Sequence, residues 1–326
     1  MFSVVLVLSS MWATAALYFD VRNPLLGPLL AGFYDAAMVG IWWRWRNRVP
    51  GLLLWISSLA LVVGWWLSIA PSNDRPWQQD VEKLPLATVD GNQVTIHNLR
   101  NFDYQTETQY VSRWDTRKVD LSALRGVDLF VTHWGAPLIA HMIVSFRFGV
   151  PGQDDQFVAM SIEARKTIGQ EYSALRGLFR QYNLVYLVAD ERDVVRLRTN
   201  YRKDETVRLY HTLLNPTDSK ALFLQYLHWM EEQRRQPQWY NALTANCSSS
   251  VTSYLASQNI GGFHRWDPRI VFNGLAEKLL YQQSDVATDR LSFEGLFQRA
   301  VINPRAKQLD QDPNFSLRLR EGQPGF

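Results

Sequence analysis

Three apolar stretches fill the first seventy residues, and nothing else in the chain limits its fold as strongly. Met1–Phe19, Leu25–Trp43 and Gly51–Ala70 are each close to the roughly twenty residues that cross a hydrocarbon core of about 30 Å. Gly51–Ala70 carries no charge at all. Trp42, Trp43, Trp45, Trp65 and Trp66 lie near segment ends, where an interfacial aromatic belt belongs. Asp35 stands near the middle of the second stretch, where a carboxylate marks either function or a packing contact between helices. Met1–Phe19 lacks the basic start of a cleaved signal and is followed by two more apolar segments, so it reads as a retained span. The expectation is three transmembrane helices over 1–70 and a folded domain over 71–326. Arg44, Arg46 and Arg48 put the loop between the second and third segments on the cytoplasmic side. One crossing later, everything past Ala70 lies outside the cytoplasm. In a Gram-negative cell this is a multi-pass inner-membrane protein whose C-terminal domain is periplasmic.

Beyond the polar exit Pro71–Trp77 the pattern is mixed α and β. Strands are predicted at Gln93–Asn98, Leu129–Thr132, Leu184–Val188 and Val207–Leu213. A hairpin is predicted from His141–Gly149 and Phe157–Arg165. Helices are predicted at Arg192–Arg202, Asp218–Gln233, Cys247–Ser257 and Pro268–Tyr281. The stretch from Ser284 onward is weakly patterned. The fold class is therefore α+β. A net charge of +3 is too mild to imply a nucleic-acid partner. There is no HExxH, paired CxxC, GxSxG, phosphate loop or GxGxxG, so neither a metal nor a cofactor is expected. A zinc site from His133, His141 and Cys247 has no supporting spacing.

The sole cysteine, Cys247, lies in YNALTANCSSS. Asn246 is a good N-cap, which sets Cys247 at the first position of a helix. Backbone N–H groups and the helix dipole there favour a thiolate. A buried structural thiol is the plain alternative, since Cys247, Val251, Tyr254 and Leu255 share a helix face. In the hairpin, Met142, Val144, Phe146 and Phe148 alternate with His141, Ile143, Ser145 and Arg147. Val158, Met160, Ile162 and Ala164 alternate with Ala159, Ser161, Glu163 and Arg165. One face is therefore apolar and the other mostly polar. A register centred on Gln153 sets Glu163 diagonal to His141, so a carboxylate can orient an imidazole. An ion pair of Glu163 with Arg147 or Arg165 is the plainer reading. His133 lies near His141 in sequence as a second polar contributor. The arginines of DERDVVRLRTNYR read as a solvated helix, or as one meeting lipid headgroups.

The strings NFDYQTE, DLSALRGVDLF, IAHMIVSFRF, SIEARKTIGQEYSALRGLFRQYNLVYLVADERDVVRLRTNYR and WYNALTANCSSS occur in that order. The succession resembles the Lnb N-terminal periplasmic domain family over nearly all of the soluble part. The resemblance implies a permuted papain-like, NlpC-type domain with an antiparallel sheet. It implies Cys247 as nucleophile, His141 as base and Glu163 as its orienter. It also brings in Ser161 through the SxE element and Asn246 through the NC dipeptide. Ser248 stands where many relatives have threonine, and the hydroxyl is kept. The expected activity is thiol-dependent acyl transfer or acyl hydrolysis on membrane lipids or lipoproteins. Asn246, Tyr240, Ser161 and His133 are expected around the oxyanion or substrate, with an acyl slot near Trp134, Phe146 or Trp239. Two other outcomes stay open: a peptidoglycan peptide hydrolase, and a non-catalytic lipid-binding scaffold of the envelope.

Overall fold

The computed structural model describes residues 2–45, 48–135, 140–149, 152, 154–244, 247–258 and 273–326. Alternating apolar positions beyond Pro85 are drawn into one eight-stranded sheet. Its strands run β1 (Leu86–Asp90), β2 (Gln93–Arg100), β5 (Trp114–Asp120), β6 (Leu124–His133), β7 (Ala140–Phe148), β8 (Gln156–Arg165), β9 (Asn183–Ala189) and β10 (Thr206–His211). A small ribbon of β3 (Asp103–Tyr104) and β4 (Tyr110–Val111) stands apart. The spatial order is β1-β2-β9-β8-β7-β6-β10, with β5 also paired to β2. Every pairing in it is antiparallel except that of β2 with β9. The chain is thus a mixed α+β protein with a mostly antiparallel sheet.

The first sheet face is the apolar one that the alternation predicts. Val127, Leu129 and Val131 of β6, Met142, Val144, Phe146 and Phe148 of β7, and Val158, Met160 and Ile162 of β8 form one cluster. It is covered by α5 (Pro216–Arg235) and α6 (Cys247–Ser257), through Leu222, Phe223, Tyr226, Val251 and Leu255. Phe146 meets the Phe223 ring edge-on at 5.0 Å. Each such side chain contributes about 1.5–3 kcal/mol by leaving water.

The second face is not open to solvent. Phe130, Ile143, Ala159 and Leu187 pack against Val194 and Val195 of α4 (Glu191–Arg196). The C-terminal helices complete the cover. Of these, α7 (Ala276–Gln282) and α8 (Phe293–Arg299) join the first core through Leu279 and Leu296, whereas α9 (Asn303–Gln308) and α10 (Phe315–Arg320) cover this second face. Phe315 and Leu319 of α10 enter this second core, so the weakly patterned end of the sequence is structural. Burial of the polar residues on this face is offset by pairing. Arg320 lies 2.7 Å from Asp128 and 2.7 Å from Glu191, and Ser145 donates to Glu191 at 2.5 Å.

Two expectations are corrected here. The β7–β8 register pairs Ile143 with Ser161 and Phe148 with Gln156, which centres it on Gly152 and not on Gln153. Gly152 takes a positive φ of 72°, which a glycine accepts without strain. The arginine-rich helix is neither solvated nor turned to lipid. Arg196 and Arg198 are buried, and they pair with Asp103 at 2.5 Å and with Glu205 at 3.2 Å. Val194, Val195 and Leu197 between the charges pull the segment inward, and a five-residue π turn, Leu197–Tyr201, follows α4.

Ahead of the sheet, α1 (Phe2–Asp20), α2 (Leu26–Trp45) and α3 (Val49–Ser68) pack on one another. Among the described residues one helix, Val49–Ser68, qualifies by length and composition to cross a membrane. The sequence expectation of three spans is thus met by one helix on this measure. Asp35 accepts a hydrogen bond from Thr14 of α1, a contact between helices. The ends of α1 and α3 meet the sheet domain. Gln181 donates to Asp20 at 2.6 Å, and the Phe19 and Phe179 rings lie 5.2 Å apart.

Candidate functional site

His141 is the second residue of β7, and Ser161 and Glu163 lie on the neighbouring β8. Continuing the Ile143–Ser161 pairing by two residues sets Glu163 directly opposite His141, closer than the diagonal relation expected. His141 Nε2 lies 2.8 Å from Ser161 Oγ and 3.4 Å from Glu163 Oε1. Ser161 Oγ donates to Glu163 Oε1 at 3.0 Å. A hydroxyl has one proton, so Ser161 must accept from His141 when it donates to Glu163. That assigns the Nε2–H tautomer and leaves the ring's lone pair on Nδ1. His141 and Ser161 are buried, and the Glu163 side chain is 22% exposed.

Arg198 holds the far side of the carboxylate, with Nη2 at 3.4 Å from Glu163 Oε1, and is itself anchored on Glu205. Burial alone would raise the Glu163 carboxyl. Contact with His141 and the Arg198 charge outweigh it and hold the group well below the usual carboxylate range. A carboxylate ionised at every physiological pH is what fixing an imidazole requires. Sequence reasoning missed Arg198 and Glu205 as parts of this site. The available signal was the spacing of valines and leucines among the charges, which is too apolar for a solvated helix.

Cys247 opens α6, as its sequence context predicts. Asn246 and the Cys247 side chain lie outside the described residues. Helix α6 packs on β7 and β8, the two strands that carry His141, Ser161 and Glu163. Its Val251 and Leu255 join the apolar face, whereas His141 and Glu163 belong to the opposite face. His141 stands at the start of β7, so a route from helix to ring would pass that end of the strand.

The remaining predicted residues are placed elsewhere. Thr132 opposes His141 in the β6–β7 ladder, so its neighbour His133 points to the other face. There His133 Nε2 lies 2.5 Å from the buried Glu277, which also accepts from Tyr210 at 2.8 Å. Tyr240 is buried beside Tyr172, their hydroxyls 3.2 Å apart. Phe146 is closed inside the core, so it cannot line an acyl slot. Trp239 donates its indole N–H to the Ile69 carbonyl at 3.1 Å, at the foot of α3. Among the described residues no cluster of three or more His, Cys, Asp or Glu could hold a metal. A cavity of about 790 Å³ opens among α1, α2 and α3, lined by Ser10, Asp35, Trp42, Arg48 and Trp55. It faces the α2–α3 turn and so lies at the opposite end of the helices from the sheet domain.

No curated protein and no solved structure matches the chain. The family model described as the Lnb N-terminal periplasmic domain matches residues 110–273, half of the sequence. That span contains His141, Ser161, Glu163, Arg198, Glu205 and Cys247 and stops ahead of α7. A periplasmic family and one helix apolar enough to cross a bilayer fit a membrane-attached protein with its folded part in the periplasm. On this match the chain belongs to the Lnb N-terminal periplasmic domain family.

Proposed function

We propose that this protein is a cysteine-dependent acyltransferase or acyl hydrolase of the cell envelope, acting on lipid or lipoprotein acyl groups. The observation that carries the reading is the oriented imidazole. His141 is fixed through Ser161 and Glu163 on the strands against which the cysteine helix packs. A cysteine helix set on histidine-bearing strands is the arrangement a permuted papain-like enzyme needs.

In the proposed reaction His141 Nδ1 takes the Cys247 thiol proton, and the thiolate adds to the carbonyl carbon of an ester. The tetrahedral intermediate collapses as the C–O bond to the alcohol breaks and His141 returns the proton to the leaving oxygen. The acyl thioester is then passed to an amine, a hydroxyl or water: His141 takes the acceptor's proton, the C–S bond breaks, and the proton returns to the Cys247 thiolate. Glu163 stays ionised and stabilises the imidazolium formed in each half. The amide N–H at the start of α6 would stabilise the oxyanion.

We further read α1 and α2 as membrane spans alongside α3. Asp20 at the end of α1 and Ile69 after α3 both touch the sheet domain. The turn bearing Arg48 is then on the far, cytoplasmic side, as positive charge prefers.

Because Cys247 is the sole cysteine, thiol labelling reports on it alone. The full chain should react at neutral pH with an acyl-mimicking electrophile, and His141→Ala should lose about tenfold or more of that rate. A Cys247 that labels no faster than a free thiol, with or without His141, would end the enzyme reading. Mass spectrometry of envelope lipids and lipoproteins, comparing Cys247→Ala with the natural chain, then identifies donor and acceptor.

A further inference from the structure

The underside of the sheet domain carries apolar side chains that no core requires. Ile168, Tyr172, Leu175 and Leu243 are 72%, 41%, 57% and 46% exposed. They come from two segments, the β8–β9 connection and the approach to α6, that are tied together. Ala242 N donates to the Gly177 carbonyl at 2.8 Å, and Asn241 Nδ2 reaches the Leu178 carbonyl at 3.4 Å. A Cβ on Gly177 would stand 3.2 Å from Ala242 and 3.3 Å from the Tyr240 ring, so the close approach favours glycine.

The same two segments rest on the helix ends. Gln181 donates to the Phe19 carbonyl and to Asp20, both at 2.6 Å. Arg180 donates to the carbonyls of Leu67 and Ile69 and lies 4.2 Å over the Trp66 ring. Trp239 binds the Ile69 carbonyl, and Ile168 N donates to Pro76 at 2.8 Å in the connector after α3. The exposed side chains therefore stand on the segments that rest against the ends of α1 and α3. The β8–β9 connection also exposes one charge of each sign, Glu171 and Arg176.

We propose that Ile168, Tyr172, Leu175 and Leu243 form a lipid-facing surface that inserts among the headgroups of the outer leaflet of the inner membrane. This deepens, and rests on, the acyl-transfer reading. Leu243 is four residues before Cys247, and four residues reach at most about 14 Å. The mouth of α6 is then held within one leaflet's depth of the esters it would attack. Contact is apolar, so it does not depend on lipid charge.

The test uses the full chain with Cys247→Ser, and Leu175→Cys or Leu243→Cys carrying a nitroxide spin label. The protein is reconstituted into phosphatidylcholine vesicles, with and without phosphatidylglycerol. Val89→Cys and Val111→Cys, at positions 52% and 60% exposed on β1 and β4, are the controls. Oxygen should relax the labels at 175 and 243 several-fold more effectively than a water-soluble nickel chelate, with the reverse at 89 and 111, in both vesicle types. Nickel access at 175 and 243 equal to that at 89 overturns the proposal. So does lipid contact seen only with phosphatidylglycerol, which would mean headgroup attraction in place of apolar insertion. No turnover is measured, so the outcome separates from the thiol test. Wet labels beside a reactive Cys247 remove this surface alone, and lipid-exposed labels beside an inert Cys247 remove the enzyme reading alone.

Discussion

The two faces of the central sheet are both buried, yet they are held by different physics. Under α5 and α6 the contacts are apolar, with Phe146, Met160, Ile162 and Phe223 filling space. Under α4 and α10 an apolar patch is flanked by paired polar groups: Asp128, Glu191 and Arg320 on one side, and Glu163 and Arg198 with the His141 imidazole on the other. The first face tolerates exchange of one apolar group for another of similar size. The second requires each partner, because a charge left alone in a low-dielectric interior is costly. The proposed chemistry sits on the second face, where the fixed geometry of charged hydrogen bonds holds an imidazole in one tautomer.

Three changes would break or sharpen this contrast. Arg320→Ala should have the largest effect, about 3–5 kcal/mol in denaturant unfolding, because it strands Asp128 and Glu191 together. A loss below about 1 kcal/mol would mean that water reaches that face, and the contrast would fail. Glu163→Gln should cost about 1–2 kcal/mol at neutral pH. Against burial, the His141 contact and Arg198 depress the Glu163 carboxyl, so it stabilises the fold above about pH 4.5, and that contribution disappears as pH falls through its lower folded value. Stability measured from pH 7 down to pH 3 should therefore fall less steeply in Glu163→Gln than in the natural chain. Parallel curves would show that Glu163 is not held ionised by the fold. The same variant should slow thiol labelling of Cys247 if the carboxylate orients the base. Ile162→Val, on the apolar face, should cost only about 0.5–1.5 kcal/mol and by the same amount at pH 4 and pH 7. A marked pH dependence there would show that the two faces are coupled.

The apolar face could be read from sequence, because alternation over Met142–Phe148 and Val158–Ala164 has one physical meaning. The pairing of His141 with Glu163 followed from the same alternation, although the turn is centred one residue earlier than expected. The charged face was not legible. The valines and leucines of DERDVVRLRTNYR hint at burial, but which charges it pairs with is set by partners from distant segments. Asp103 pairs with Arg196 across 93 residues. His133 lies on the opposite face of the sheet from His141. Nearness to His141 in sequence counts for little in a sheet, where adjacent positions on paired strands can face opposite ways. The helix Val49–Ser68 was plain from its unbroken apolar composition, whereas α2 carries Asp35 and Arg44 among its apolar residues.

The ion pair of Arg320 with Asp128 joins positions 192 residues apart. Contacts of such separation form late, since the loop must close before they repay its entropy. Until then Asp128 and Glu191 draw water onto strands that are meant to be dry. Arg320 neutralises both carboxylates at once, so the segment after the family match works as the latch on the domain it follows.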